Sequence, residues 1–257
     1  MTNDAFLLTG KVAIITGSSR GIGFATARAL GLAGAKVMLM SRKPDSCEAA
    51  ANALRQDGIE SAWVAGHAAR EDDIRRAVDT ALAQFGRLDF LVANAAINPT
   101  FDPLVDLAEE SFQKVMDTNV AGPLRLARHG LPRLAEGGAM VVVSSVNAAS
   151  GFRSGSSYGM SKAAVEAMTR QLAVEWGEKG VRINAVRPGA TRTDMVRKLV
   201  EQDGYMENVM QTTPLRRIAE PEDVANVIVF LLSNAARHMT GQVLTIDGGQ
   251  SILRGPA

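Results

Sequence analysis

The strongest constraint on the fold is an alternation. From Lys11 almost to the C-terminus, short β-type apolar runs alternate with longer segments of helical period. Strands apolar at every position need cover on both faces, and a parallel sheet with crossover helices provides it. The spacing predicts strands at Val12–Thr16, Lys36–Met40, Ser61–Val64, Phe90–Ala93, Met140–Ser144, Arg182–Val186 and Val243–Ile246. Between them, Ile74, Ala77, Val78, Ala81, Leu82 and Phe85 recur at helical spacing, with Glu71, Asp72 and Asp73 ahead of them and Gly86 behind. A second helix is predicted from Pro221, with Val224, Val227, Ile228, Leu231 and Leu232 on one side.

The alternation runs without a linker or repeat, so residues 1–257 are expected to form a single α/β domain, doubly wound in the Rossmann manner. One stretch departs from it. Ala190 to Arg217 follows a Pro-Gly pair, is polar and mixed, and contains Gly204 and Pro214, which suits a mobile substrate lid.

Charge and cysteine content narrow the function. The 28 Lys and Arg against 27 Asp and Glu leave a net charge of +1, giving no global field to recruit nucleic acid or an anionic membrane. A small-molecule partner is expected instead. The apolar runs fall short of the ~18 residues that span a bilayer, and Met1 to Thr9 has no signal-peptide pattern, so cytoplasmic residence is the expectation. One cysteine, Cys47, and three histidines leave no metal-ligand spacing, and no metal is expected.

Directly after the first strand stands Thr16-Gly17-Ser18-Ser19-Arg20-Gly21-Ile22-Gly23, opening the helical run Phe24 to Leu32. Glycines in a strand-to-helix turn let backbone N–H groups approach a pyrophosphate, whose charge a helix N-terminus favours. The spacing is TGxxxGxG. An acid that would grip an unphosphorylated ribose belongs at the end of the second strand, where this chain has Ser41-Arg42-Lys43. Cations there, with Arg20 beside them, suit a 2′-phosphate, which favours NADP(H) while leaving NAD(H) open.

Proton chemistry is suggested by Tyr158 and Lys162, four apart in a helical segment and so on one face. A nearby ammonium is expected to favour the phenolate and lower the tyrosine's pKa. Ser145, at the end of an apolar strand, places a hydroxyl where open α/β sheets bind ligands. Asn94-Ala95-Ala96 and Pro188-Gly189 reach the same rim from neighbouring strands.

These motifs, taken in order with Asn119, Thr193 and the tail Thr240-Gly241 to Asp247-Gly248-Gly249, resemble the classical short-chain dehydrogenases/reductases over nearly the whole chain. The resemblance implies a sheet ordered 3-2-1-4-5-6-7 and a homotetramer packed through the segments Glu109–Leu134 and Ser156–Trp176 and the C-terminal strand. It also implies a catalytic tetrad of Asn119, Ser145, Tyr158 and Lys162. Tyr158 would be the acid/base, Lys162 would lower its pKa and bind the nicotinamide ribose, Ser145 would position the reacting oxygen, and Asn119 would support a water-linked proton path. Dinucleotide contacts would come from Gly17, Ser19, Arg20, Gly21, Ile22, Gly23, Ser41, Arg42, Lys43, His67, Ala68, Asn94, Ala95, Ala96, Tyr158, Lys162, Pro188, Gly189, Thr191 and Thr193. His67 stands where the family commonly has an Asp near the adenine, and Ala93 to Ala96 where Asn-Asn-Ala-Gly is usual. Asn94 to Pro99 with Ser41 to Lys43 is similar to the NADP-linked carbonyl reductase branch, the dehydrogenase/reductase member four type.

Substrate walls are expected at Asn147, Phe152 and Arg153 and from the lid, with Ser145 and Tyr158 at the reacting group. The leading expectation is a hydride-transferring oxidoreductase of the carbonyl reductase or ketoacyl reductase kind. Two alternatives stand beside it: an NAD-dependent sugar or steroid alcohol dehydrogenase, and a non-catalytic dinucleotide-sensing regulator. The regulator fits less well, because such proteins typically lose the Tyr or the Lys.

Overall fold

The computed structural model describes residues 4–100, 102–151, 156–196 and 204–253. Seven parallel strands, β1 (Val12–Thr16), β2 (Lys36–Ser41), β3 (Ser61–Ala65), β4 (Phe90–Ala93), β5 (Ala139–Val143), β6 (Arg182–Pro188) and β7 (Val243–Ile246), form one sheet in the order β3-β2-β1-β4-β5-β6-β7. The strand order is the one the resemblance implies, and the seven strands fall where the sequence spacing predicts them. Boundaries differ by a residue or two: β5 begins at Ala139 and stops before Ser144, and β6 runs on to Pro188, whose missing N–H closes the strand.

The helices are α1 (Gly21–Leu32), α2 (Pro44–Gln56), α3 (Glu71–Phe85), α4 (Glu109–Met116), α5 (Gly122–Gly130), α6 (Ser156–Gly177), α7 (Tyr205–Thr212) and α8 (Pro221–Leu232). Alternate residues of the strands feed two separate apolar layers. Val12, Ile14, Met38, Leu91, Met140 and Ile183 pack with Ile74 and Val78 of α3, Leu126 of α5 and Val165 of α6. Ala13, Ile15, Val37, Val92 and Val141 pack on the other face with Leu30 of α1, Leu54 of α2, and Val224, Ile228 and Leu231 of α8. This is why the strands read as continuous apolar runs.

The helix ends follow local chemistry. Gly86 closes α3 in the left-handed conformation at φ 76°, where a side chain would be strained. Glu220 and Asp223 cap the start of α8 reciprocally. Between α4 and α5 the helix widens into a π-helical turn at Asp117–Ala121 that holds Asn119. Within the expected lid, Thr191 pairs with Ala219 in a parallel bridge and α7 occupies 205–212, while 197–203 lie outside the described residues. No described helix is long and apolar enough to cross a membrane.

Candidate active site

The glycine turn sits at the carboxyl end of β1, where the sheet order reverses between β1 and β4. Its shape is fixed from below. Ser18 donates to the Ile15 carbonyl at 2.8 Å and accepts from Met40 N–H at 2.9 Å, tying the turn to β1 and β2. Asn94 donates from Nδ2 to the carbonyls of Thr16 and Gly17, each at 3.0 Å, and the Thr16 hydroxyl accepts from the N–H groups of Asn94 and Ala95. Asn94 thus shapes the cradle from beneath.

The tight approach explains Gly23. A Cβ there would lie 2.4 Å from the Gly17 carbonyl oxygen and 2.5 Å from Asn94 Nδ2. Helix α1 starts with no side-chain cap and no acid in its first turn, so its positive N-terminal end is left for an anionic ligand. These features fit a dinucleotide pyrophosphate. Thr193 lies close by, its Cγ2 3.3 Å from where a Gly21 Cβ would be. Gly189 packs on Asp247 at the end of β6 and donates its N–H to the Ile246 carbonyl. Thr191 donates to the Gly189 carbonyl at 3.0 Å. Ser19, Ile22, Ala95, Ala96 and the Pro188-Gly189 turn therefore share one rim with the glycine turn.

At the end of β2, the Ser41 hydroxyl accepts from the Ser19 N–H at 3.3 Å, and Arg42 and Lys43 are exposed. The Arg20 guanidinium forms an exposed ion pair with Asp194 at 2.8 Å, as the loop after β6 folds back over the turn. His67 is fixed by its own loop: its Nδ1 accepts from the Ala69 N–H at 3.0 Å, and its N–H donates to Asp73 at 2.9 Å. Burial and then the nearby Arg42 push its pKa down, favouring the neutral ring. Ala68 next to it is buried against Gly122.

The tetrad candidates converge at the end of β5. Ser145 accepts from the Asn147 N–H at 3.3 Å and stands near enough to the Tyr158 phenol to lower its pKa. Lys162 reaches under the Tyr158 ring, with Nζ 5.5 Å from the ring centroid, and donates to the Val143 carbonyl at 2.7 Å. Asn147 packs on α6, its carbonyl oxygen 2.7 Å from where a Gly159 Cβ would stand. Phe152 and Arg153 lie outside the described residues. The Asn119 amide is committed to protein partners: Oδ1 accepts from Ile97 N–H at 2.8 Å, and Nδ2 donates to the Ile97 carbonyl at 2.9 Å and to Ser161 Oγ at 3.0 Å.

The electrostatics differ from the sequence expectation in one respect. Desolvation pushes the Tyr158 phenol up to about 12, against a smaller lowering by Ser145. Lys162 is itself lowered to about 8 by burial. The ammonium faces a carbonyl, and the phenol remains an acid at neutral pH.

Beneath this group lies a buried cluster absent from the sequence reading. Ser144 donates to Glu166 Oε1 at 2.7 Å, and Arg187 of β6 grips the same carboxylate through Nε at 2.8 Å and Nη2 at 2.6 Å. Its one sequence signal was Glu166 at the next helical turn after Lys162, on the face Tyr158 and Lys162 share.

A doubly wound sheet with a glycine-lined dinucleotide cradle and a tyrosine-lysine pair at its strand ends defines a nicotinamide-dependent oxidoreductase of alcohol and carbonyl groups. Comparison with known proteins agrees. A family model described as enoyl-(acyl carrier protein) reductase matches residues 17–251. The chain is 38% identical to dehydrogenase/reductase SDR family member 4 of Bos taurus, covering 94% of this chain and 88% of the relative. The structure of a short-chain type dehydrogenase/reductase from Mycobacterium ulcerans superposes with a TM-score of 0.93 at 35% identity, covering 98% of this chain and 93% of the other. That of levodione reductase does so with a TM-score of 0.90 at 32% identity, covering 96% and 99% respectively. The chain belongs to the classical short-chain dehydrogenase/reductase family.

Proposed function

We propose that this chain is an NADP(H)-linked reductase of ketones or aldehydes, with Tyr158 as the proton donor. The observation that carries the reading is the meeting of Ser145, Tyr158 and Lys162 at the end of β5, beside the glycine turn. When bound, the reduced nicotinamide supplies a hydride to the carbonyl carbon. Ser145 holds the carbonyl oxygen, and Tyr158 gives its phenolic proton to that oxygen as negative charge develops there. A phenol pushed up to about 12 is protonated at neutral pH and so carries the proton that carbonyl reduction consumes. Lys162, held on the Val143 carbonyl, places its ammonium under the ring that becomes phenolate. Asn119 holds the Ile97 backbone and Ser161 in place around it.

Cofactor choice rests on the end of β2. No carboxylate follows Ser41, and the exposed Arg42 and Lys43 suit the 2′-phosphate of NADP(H). Gly17, Gly21, Gly23 and the start of α1 would hold the pyrophosphate, and Thr191 and Thr193 would close over the nicotinamide half. Among the relatives, levodione reductase is named for its substrate, and a carbonyl compound lodged against Asn147 is in keeping with the reductase reading. Exposed apolar side chains on α5 and α6, among them Leu124, Met160 and Val174, together with the edge strand β7, suit a homotetramer.

The test is turnover of a panel of ketones, aldehydes and acyl thioesters with NADPH and with NADH, followed by cofactor absorbance. Reduction of at least one class with NADPH is the expected result. Tight dinucleotide binding with no turnover across the panel would favour the regulator instead.

A further inference from the structure

We propose that Ser144 and Glu166 are positioning residues for proton transfer: their buried hydrogen bond locks the end of β5 onto α6 and thereby sets where Ser145 and Lys162 stand relative to Tyr158. The inference rests on the function proposed above. Ser144 is 2% exposed and Glu166 5% exposed, so neither finds water as an alternative partner. Their bond is 2.7 Å long, and the same hydroxyl lies 3.3 Å from the Lys162 carbonyl oxygen.

The placement matters because Ser144 stands between two residues of the site. On one side is Val143, whose carbonyl receives the Lys162 ammonium; on the other is Ser145, whose hydroxyl stands by the phenol and lowers its pKa. On the helix, Tyr158, Lys162 and Glu166 follow at intervals of four and share one face. One hydrogen bond therefore joins the middle of the strand-end triplet to the helix that carries the acid and the ammonium. The Ser144 N–H is also fixed, donating to the Val186 carbonyl of β6 at 2.7 Å.

Arg187 makes the arrangement rigid. Its two-pronged contact with Glu166 leaves the carboxylate ionised; burial opposes this, but the hydrogen bonds from Arg187 and Ser144 outweigh it and hold the group below its ordinary range. The ion pair alone ties α6 to β6. The Ser144 hydroxyl ties the Glu166 carboxylate itself to the end of β5, beside the Lys162 contact with Val143. If the cluster served stability alone, loss of the hydroxyl would lower the melting temperature and leave the chemical step unchanged.

Ser144→Ala removes the link and keeps the Arg187–Glu166 pair, whereas Ser144→Thr keeps a hydroxyl. Both are compared with the parent and with Tyr158→Phe for kcat, KM, dinucleotide Kd and melting temperature. For Ser144→Ala we expect kcat about tenfold lower with KM and Kd within about twofold of the parent, and for Ser144→Thr recovery of most of the loss. Should the alanine chain fail to fold, Ser144→Cys, nearly isosteric with a weaker donor, takes its place with the same expectation. A parental kcat in the hydroxyl-free variant, or a threonine variant as slow as the alanine one, overturns the proposal while an inactive Tyr158→Phe leaves the proposed function standing. An active Tyr158→Phe overturns both.

Discussion

The Lys162 ammonium donates to the Val143 carbonyl at 2.7 Å inside the fold, and its burial has a measurable cost. Its pKa is lowered from 10.5 to about 8, so between those values the unfolded chain binds more protons than the folded one. Stability must then rise with pH across that window, and below it the penalty is present in full. The slope from this single group is at most about 1.4 kcal/mol per pH unit. Tyr158, raised from 10.0 to about 12, acts in the opposite direction only above pH 10. Lys162→Met should flatten the rise of the urea midpoint between pH 8 and 10. Identical slopes in parent and variant would mean that water reaches the ammonium.

Tyr158→Phe keeps the ring above Lys162 and removes the hydroxyl beside Ser145. Turnover should fall by about a hundredfold or more, because general acid catalysis supplies at least that much. Dinucleotide affinity, measured by titration calorimetry, should barely move. A variant with a tenth of the parental rate, a loss of about 1.4 kcal/mol, would remove Tyr158 from the chemical step.

The two candidate phosphate-binding arginines should behave differently. Arg42 is exposed beside Ser41, whereas Arg20 already pairs with Asp194. Arg42→Asp should therefore move kcat/KM from NADPH toward NADH by about tenfold, the worth of one surviving phosphate contact at a solvated rim. Arg20→Ala should change that ratio less. Kinetics with both cofactors decide it, and a larger effect at Arg20 would show that its pair with Asp194 opens when cofactor binds.

Two glycines offer a matched contrast. Gly23→Ala would press a methyl onto the Gly17 carbonyl and the Asn94 amide, so cofactor binding should be lost even if the chain folds. Gly86→Ala meets open space but keeps φ 76°, and should lower stability by about 1 kcal/mol with the cofactor Kd unchanged. Thermal melts and binding on the two proteins check this. A Gly23→Ala chain that binds dinucleotide normally would place the pyrophosphate elsewhere.

Assembly can be tested on the surface of α6. Val174 is 78% exposed, unusual for an apolar side chain on a long helix. If the parent is the proposed tetramer, Val174→Asp should shift the light-scattering mass below the parent's. A parent that is monomeric at micromolar concentration would contradict the assembly outright.

Legibility in the sequence followed distance along the chain. The glycine turn and the Tyr158–Lys162 pair are local, so strand-to-helix spacing and helical period place them without any tertiary knowledge. The strands were readable because both faces of the sheet are covered. Glu166 and Arg187 are 21 positions apart, and Arg20 and Asp194 are 174 apart; neither pair has a period to betray it, since the first forms only when α6 packs back on β6 and the second only when the ends of β1 and β6 come together. The direction of the Tyr158 shift was also out of reach. A lysine nearby in sequence suggests a lowered phenol, but only the folded chain reveals that the ammonium faces Val143 and that desolvation dominates.

The wide turn at Asp117–Ala121 takes one residue more than a regular helical turn. Deleting that residue would let α4 run into α5 as a regular helix with its faces kept, because about five residues of π-helix turn the chain as far as about four of α-helix. Leu126, Ala127 and Leu131 would stay in the apolar layer, but Asn119, which stands in the wide turn, would lose its reach to both Ile97 and Ser161. At Gly137, where a side chain would meet nothing within 4 Å, a change of length disturbs only the surface. The more regular helix would belong to the poorer enzyme.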